Sequence, residues 1–106
     1  MSRITKSLIR EHFRLLGSEY LIPKSRKEAE ERGESSYLSL DYYSPGGNPY
    51  HWKLCVTSVK TGAEWDINQL RMTNYGFMCY LEGLETSISE RFNSFKRIIE
   101  KRDGNK

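Results

Sequence analysis

The chain has 106 residues, long enough for one domain and too short for two. Its net charge of +3 and its two Trp, seven Tyr and four Phe exclude a disordered chain, because the rings supply buried area where aliphatic residues are scarce. No run approaches the ~20 apolar residues that span a bilayer, and "MSRITKSLIREHF" lacks the apolar core of a signal peptide, so a cytoplasmic, non-membrane protein is expected.

In chain order, residues 1–17 read as an amphipathic helix with Ser2 as cap and Gly17 just past its end. Ile4, Leu8, Ile9, Phe13, Leu15 and Leu16 fill one broad arc of its wheel, with His12 near the middle. Arg3, Lys6, Arg10 and Arg14 form a narrow stripe opposite. Pro23 ends the apolar link "EYLIP", and Ser25 with Glu28 is a capping-box pattern that predicts a short exposed helix or loop over 24–34.

The period then changes to two. Leu38, Leu40 and Tyr42 alternate with Ser39, Asp41 and Tyr43; Tyr50, Trp52, Leu54 and Val56 alternate with His51, Lys53 and Thr57. The pattern predicts a hairpin across "SPGGNP", with Tyr42, Tyr50 and Trp52 in the core. A third strand is expected over Glu64 to Leu70, and the apolar run around Phe77 to Leu81 reads as a fourth strand or a short helix. Residues 35–82 thus make an antiparallel sheet of three to four strands. Residues 86–102 form a helix with Ser87 and Glu90 as its capping box, and 103–106 a frayed tail. Both long helices need an apolar surface, and the sheet provides one. The expected fold is a single small α+β domain with the C-terminal helix packed on the sheet.

Candidate chemistry is sparse. His12 and His51, Cys55 and Cys79 lack the pairwise spacing of a zinc site, so no metal or cofactor is expected, and the cysteines read as buried free thiols. Gly46-Gly47 lacks the following Lys-Ser/Thr of a phosphate-binding loop. His12 reads as a core histidine bonded to a backbone carbonyl or a hydroxyl. The hairpin is more informative. Direct cross-strand neighbours share a face, so keeping the apolar residues together brings Asp41, Tyr43, His51 and Lys53 onto the other face in either permitted register. One register sets Tyr43 opposite His51 and Asp41 opposite Lys53.

Three functions follow, in order. The first is a non-enzymatic binding protein, of the compact kind that phages and mobile elements encode. It would act as inhibitor or adaptor of a larger protein or nucleoprotein complex through Asp41, Tyr43, His51 and Lys53. The second is nucleic-acid binding through Arg3, Lys6, Arg10 and Arg14. The third is a metal-independent, ribonuclease-like activity of the Asp–Tyr–His–Lys group. An unpaired outer strand leaves self-association as a homodimer open.

Overall fold

The computed structural model describes residues 3–104. Helix α1 (Lys6–Leu15) opens at Thr5, whose hydroxyl accepts a hydrogen bond from the Leu8 N–H at 3.2 Å. Ser2, the expected cap, lies outside the described residues. Arg3 precedes the helix, because the Ile4 carbonyl is held by the Asn74 side-chain amide at 3.0 Å and the chain stays extended to Thr5. Gly17 follows α1 with φ 66°, and a Cβ there would stand 2.9 Å from Ile22 Cδ1 and 3.1 Å from Ile88 Cγ2. The left-handed backbone favours glycine there, and a Cβ would make Ile22 and Ile88 shift.

After a 3₁₀ turn at Ser18–Tyr20, helix α2 (Arg26–Glu31) carries the expected Ser25 cap, while Glu28 reaches back one residue beyond the cap, to Lys24. Ser25 Oγ accepts from the Glu28 N–H at 3.1 Å, and the Glu28 carboxylate accepts from the Lys24 N–H at 2.8 Å. Its single apolar residue, Ala29, is fully buried, so this piece is docked beside the sheet instead of standing free.

Strands β1 (Ser36–Tyr42), β2 (Trp52–Ser58) and β3 (Glu64–Asp66) form an antiparallel sheet in the order β1-β2-β3. The register sets Asp41 opposite Lys53 and Tyr42 opposite Trp52. Leu38, Trp52, Leu54 and Val56 on one face join Phe77, Leu81, Ile88, Phe92 and Ile99 in a single core. Those five come from helices α3 (Asn74–Leu84) and α4 (Ile88–Arg102), while α1 lies against α3. The opposite face contributes nothing to that core; the sheet is apolar on one side and polar on the other. The protein is a small α+β domain with four helices and a three-stranded sheet, and among the described residues no helix is long and apolar enough to cross a membrane.

Several expectations are corrected. Of the two alternatives for the run at Phe77 to Leu81, the helix is found, over residues 74–84: Thr73 caps it by accepting from the Gly76 N–H at 3.1 Å, and the buried Phe77, Leu81 and Leu84 recur at helical spacing. Tyr50 is 55% exposed, not core, because Asn48 Oδ1 turns back to the Tyr50 N–H at 2.8 Å and strand alternation starts only at Trp52. Ser87 makes no side-chain capping bond. Asp103 is not frayed: it accepts from Ser58 Oγ at 2.6 Å and, through its carbonyl, from Lys60 Nζ at 2.9 Å. Residues 105 and 106 lie outside the described residues.

The third strand stops at Asp66, short of Leu70, and a side chain takes over its pairing. Buried Asn68 accepts from the Leu54 N–H at 2.6 Å and donates to the carbonyls of Trp52 at 3.2 Å and Leu70 at 2.9 Å. The main chain rejoins β2 at Met72, which exchanges hydrogen bonds with Trp52. A carboxamide therefore stands in for a missing peptide group along the central strand. Asn68→Ala should cost about 3 kcal/mol by leaving buried backbone groups unpaired, while exposed Gln69→Ala should stay within about 0.5 kcal/mol of wild type in denaturant unfolding.

Candidate functional site

The polar face of the sheet is built by strand parity. Tyr37, Ser39 and Asp41 from β1 stand beside Lys53, Cys55 and Thr57 from β2, with Glu64 and Asp66 from β3 at the far edge. Past the strand ends, the Tyr43 N–H donates to the His51 carbonyl at 3.0 Å, which continues the ladder and places these two residues opposite each other. Of the four residues expected to cluster, Asp41 and Lys53 share this face, and Tyr43 meets it through Arg71. The His51 ring instead packs against Tyr42, centroids 5.1 Å apart, because the His51 and Trp52 N–H groups both turn to the Met72 carbonyl and the alternation breaks there.

Asp41 and Lys53 do not engage one another as the pairing alone would imply. Lys53 Nζ donates to Asp66 Oδ2 at 2.7 Å, away from Asp41. Asp41 is taken by Arg71, whose Nη2 donates to Asp41 Oδ2 at 2.9 Å. The same guanidinium donates through Nη1 to the carbonyls of Asp41 at 3.2 Å and His51 at 2.9 Å, and its Cζ lies 5.4 Å from the Tyr43 ring centroid. Arg71 thus crosses the mouth of the hairpin and ties β1, β2 and the returning chain together. Its planar fork is what lets one side chain meet several acceptors at once.

His51 Nδ1 lies 3.1 Å from the Tyr43 carbonyl. A carbonyl only accepts, so Nδ1 carries the proton and Nε2 is the open ring nitrogen. The acid and the amine that general acid–base chemistry would recruit are each held by a partner of opposite charge. The geometry does not converge the four residues on one point, and His51 turns toward Tyr42 instead.

Cys55 lies in the middle of this face, fully buried, with Sγ 3.5 Å from Asp66 Oδ1. Burial pushes its thiol far up, and the hydrogen bond to Asp66 and the nearby acidic charges push it the same way. Asp41, Cys55 and Glu64 are near enough to share an ion, their ligand atoms lying within 4.8 Å of one another. A cation there would have to displace Arg71 from Asp41 and strip a strongly held thiol proton, so the group fits a metal poorly.

Around the Arg71 clamp the surface turns apolar. Tyr43 is 59%, Tyr50 55%, Leu70 80% and Tyr75 71% exposed. Leu70 flanks Arg71, and Tyr75 sits in the first turn of α3, beside Asn74, whose Oδ1 accepts from Trp52 Nε1 at 2.7 Å. Arg71, Leu70 and Tyr75 escaped the sequence reading. They come from a loop and a helix start whose approach to the hairpin depends on the Trp52–Met72 bridge, which no local pattern reveals.

The basic stripe of α1 is broken up. Arg3 lies off the helix, Lys6 Nζ stands 4.2 Å over the Tyr42 ring centroid, and Arg14 forks onto Glu11 at 3.2 and 2.6 Å. Arg10 is exposed, with no ion pair among the described residues. His12 faces a carboxylate instead of the expected carbonyl or hydroxyl: Nε2 lies 3.3 Å from Glu85 Oε1, in a geometry outside that of a hydrogen bond.

The two thiols are both free, and Cys79 is exposed, contrary to the expectation that both are buried. An aromatic disulfide reagent should label Cys79 quickly in the native protein. Cys55 should react only as fast as the whole protein unfolds, and raising the pH from about 7 to about 9 should not accelerate it. Rapid labelling of both in native protein would contradict the sealed polar face. No protein-family model, curated protein or solved structure matches this chain, so its function is read from its residues alone.

Proposed function

We propose that the protein acts by binding a partner protein through its hairpin end, as an inhibitor or adaptor of a larger assembly. The observation that carries this reading is exposed Tyr43 against the Arg71 clamp, with Leu70 next to Arg71 in the chain also exposed. Tyr and Arg are enriched at the energetic centres of protein interfaces, and rings on a fixed backbone lose little entropy when they bind. Lys6, close above Tyr42, adds positive charge beside the rings, which favours a partner with an apolar recess and an acidic rim. The nucleic-acid reading is weakened by the loss of Arg3 and Arg14 from the stripe.

The test is quantitative capture from the native host, with and without nuclease treatment, comparing variants. Tyr43→Ala combined with Leu70→Asp should reduce the recovered partner at least about tenfold. Ile98→Ala, which removes an exposed apolar side chain from α4, should leave recovery unchanged. Equal recovery by the hairpin variant and wild type would remove the hairpin end from the interface, and loss of every partner on nuclease treatment would favour nucleic acid.

A further inference from the structure

At the other end of α1 from the hairpin, a half-open cleft of about 470 Å³ lies between α1, the following link and α2. Three cationic side chains enter it from separate parts of the chain: Arg14 from α1, Lys24 from the link, and Arg32 from the end of α2. Phe13 and Leu21 give it apolar walls, and Glu28 is the one carboxylate lining it.

Two of the three cations, Lys24 and Arg32, make no ion pair among the described residues. Lys24 Nζ donates to the Arg14 carbonyl at 2.9 Å, and Arg32 Nη1 to the Leu21 carbonyl at 2.6 Å. Neutral acceptors hold both, and each retains further N–H donors. Arg14 differs, since Glu11 already occupies its fork. Glu28 spends one oxygen on the Lys24 N–H. Burial pushes the Lys24 amine below the ordinary lysine range, with Arg32 and Arg14 adding to that and the carboxylates of Glu28 and Glu85 opposing it. The backbone marks the same place. Leu21, at φ 57°, is the one non-glycine with positive φ among the described residues, and its side chain stays 68% exposed at the cleft. A conformation that costs about 1–2 kcal/mol persists here without any gain from burying the side chain, and such strain gathers at ligand sites.

We propose that this cleft binds a phosphomonoester carried on a flat apolar body, with the phosphoryl group between Lys24 and Arg32 and the body against Phe13 and Leu21. The spare donors of an ammonium and a guanidinium match the several oxygens and near-double charge of a phosphomonoester better than the two oxygens and single charge of a carboxylate. The volume falls within the ~300–1,000 Å³ range of small-molecule sites. This site is separate from the hairpin end, so the two readings stand or fall independently.

The test is an amide-resolved NMR titration of the full chain at fixed ionic strength with phenyl phosphate, adenosine monophosphate, inorganic phosphate and benzoate. Phenyl phosphate should give saturable shifts at residues 13, 21, 24 and 32, with benzoate and inorganic phosphate at least about tenfold weaker for want of one half of the recognition. Arg32→Met, at an exposed position, should weaken phenyl phosphate at least about tenfold, as should Lys24→Met, while Tyr43→Ala should leave it unchanged. Tighter binding of adenosine monophosphate than of phenyl phosphate would assign the site to a nucleotide, and the reverse to a phosphorylated aromatic ring; either upholds it. The proposal is overturned if phenyl phosphate shifts do not saturate by on the order of 10 mM, if benzoate binds equally well, or if well-folded Arg32→Met binds as wild type does.

Discussion

The structure depends on satisfying the backbone of β2. This strand is buried on its helix side and flanked along both edges, so its peptide groups have no water to fall back on. β1 satisfies one edge by regular pairing. The other edge is a composite of the three residues of β3, the carboxamide of Asn68 and the bridge at Met72. That composite has a consequence regular pairing would not have. Residues 69–71 are released from the ladder while their two ends stay fixed, so Leu70 is thrown outward and Arg71 can turn onto the polar face.

The core and the hairpin end are therefore linked through one residue. Trp52 is fully buried, stacks 5.5 Å from Phe77 with planes 8° apart, and lies 4.7 Å from Tyr42. Its indole N–H reaches Asn74, which in turn holds Ile4, so the starts of α1 and α3 and the mouth of the hairpin are fixed by a single side-chain relay. The exposed rings at that end are displayed from a rigid base. Rigidity decides whether an aromatic surface can serve in binding, because ordering it at the moment of contact would consume part of the gain.

What was legible in the sequence follows from which signals are local. Parity along residues 38–42 and 52–56 sufficed to place Asp41 opposite Lys53 on one face, because side-chain alternation has a period of two and a slip would turn every apolar residue outward. It did not extend to His51, whose ring turns against Tyr42. The actual partners of Asp41 and Lys53 were not legible. Arg71 and Asp66 come from beyond the hairpin, and charge pairing across a sheet depends on which third strand arrives and where it stops. Helix α3 was ambiguous for another reason: "FMCYL" is apolar throughout, which hides any period, and Thr73 reads equally as a turn residue or a cap. Asn68 carries no sequence signal of its role, since a side chain imitating a peptide group looks like any loop asparagine.

The sheet's own edges argue against edge-to-edge pairing as the way this domain associates. β3 is three residues long and ends in ion-paired Asp66. On β1 the outward-pointing N–H of Leu38 is already taken by the Pro23 carbonyl at 2.9 Å, which leaves only the stretch toward Tyr42 for an added strand. Short, partly covered and charged edges are how sheets resist templating another chain. The polar face is equally closed, its Lys53–Asp66 and Arg71–Asp41 pairs and the Ser39–Thr57 hydroxyl contact at 2.7 Å satisfying one another. With β3 short and that face largely self-paired, the exposed rings at the hairpin end and the Lys24 and Arg32 side chains of the cleft stand a helix length apart, about 15 Å by the rise of α1.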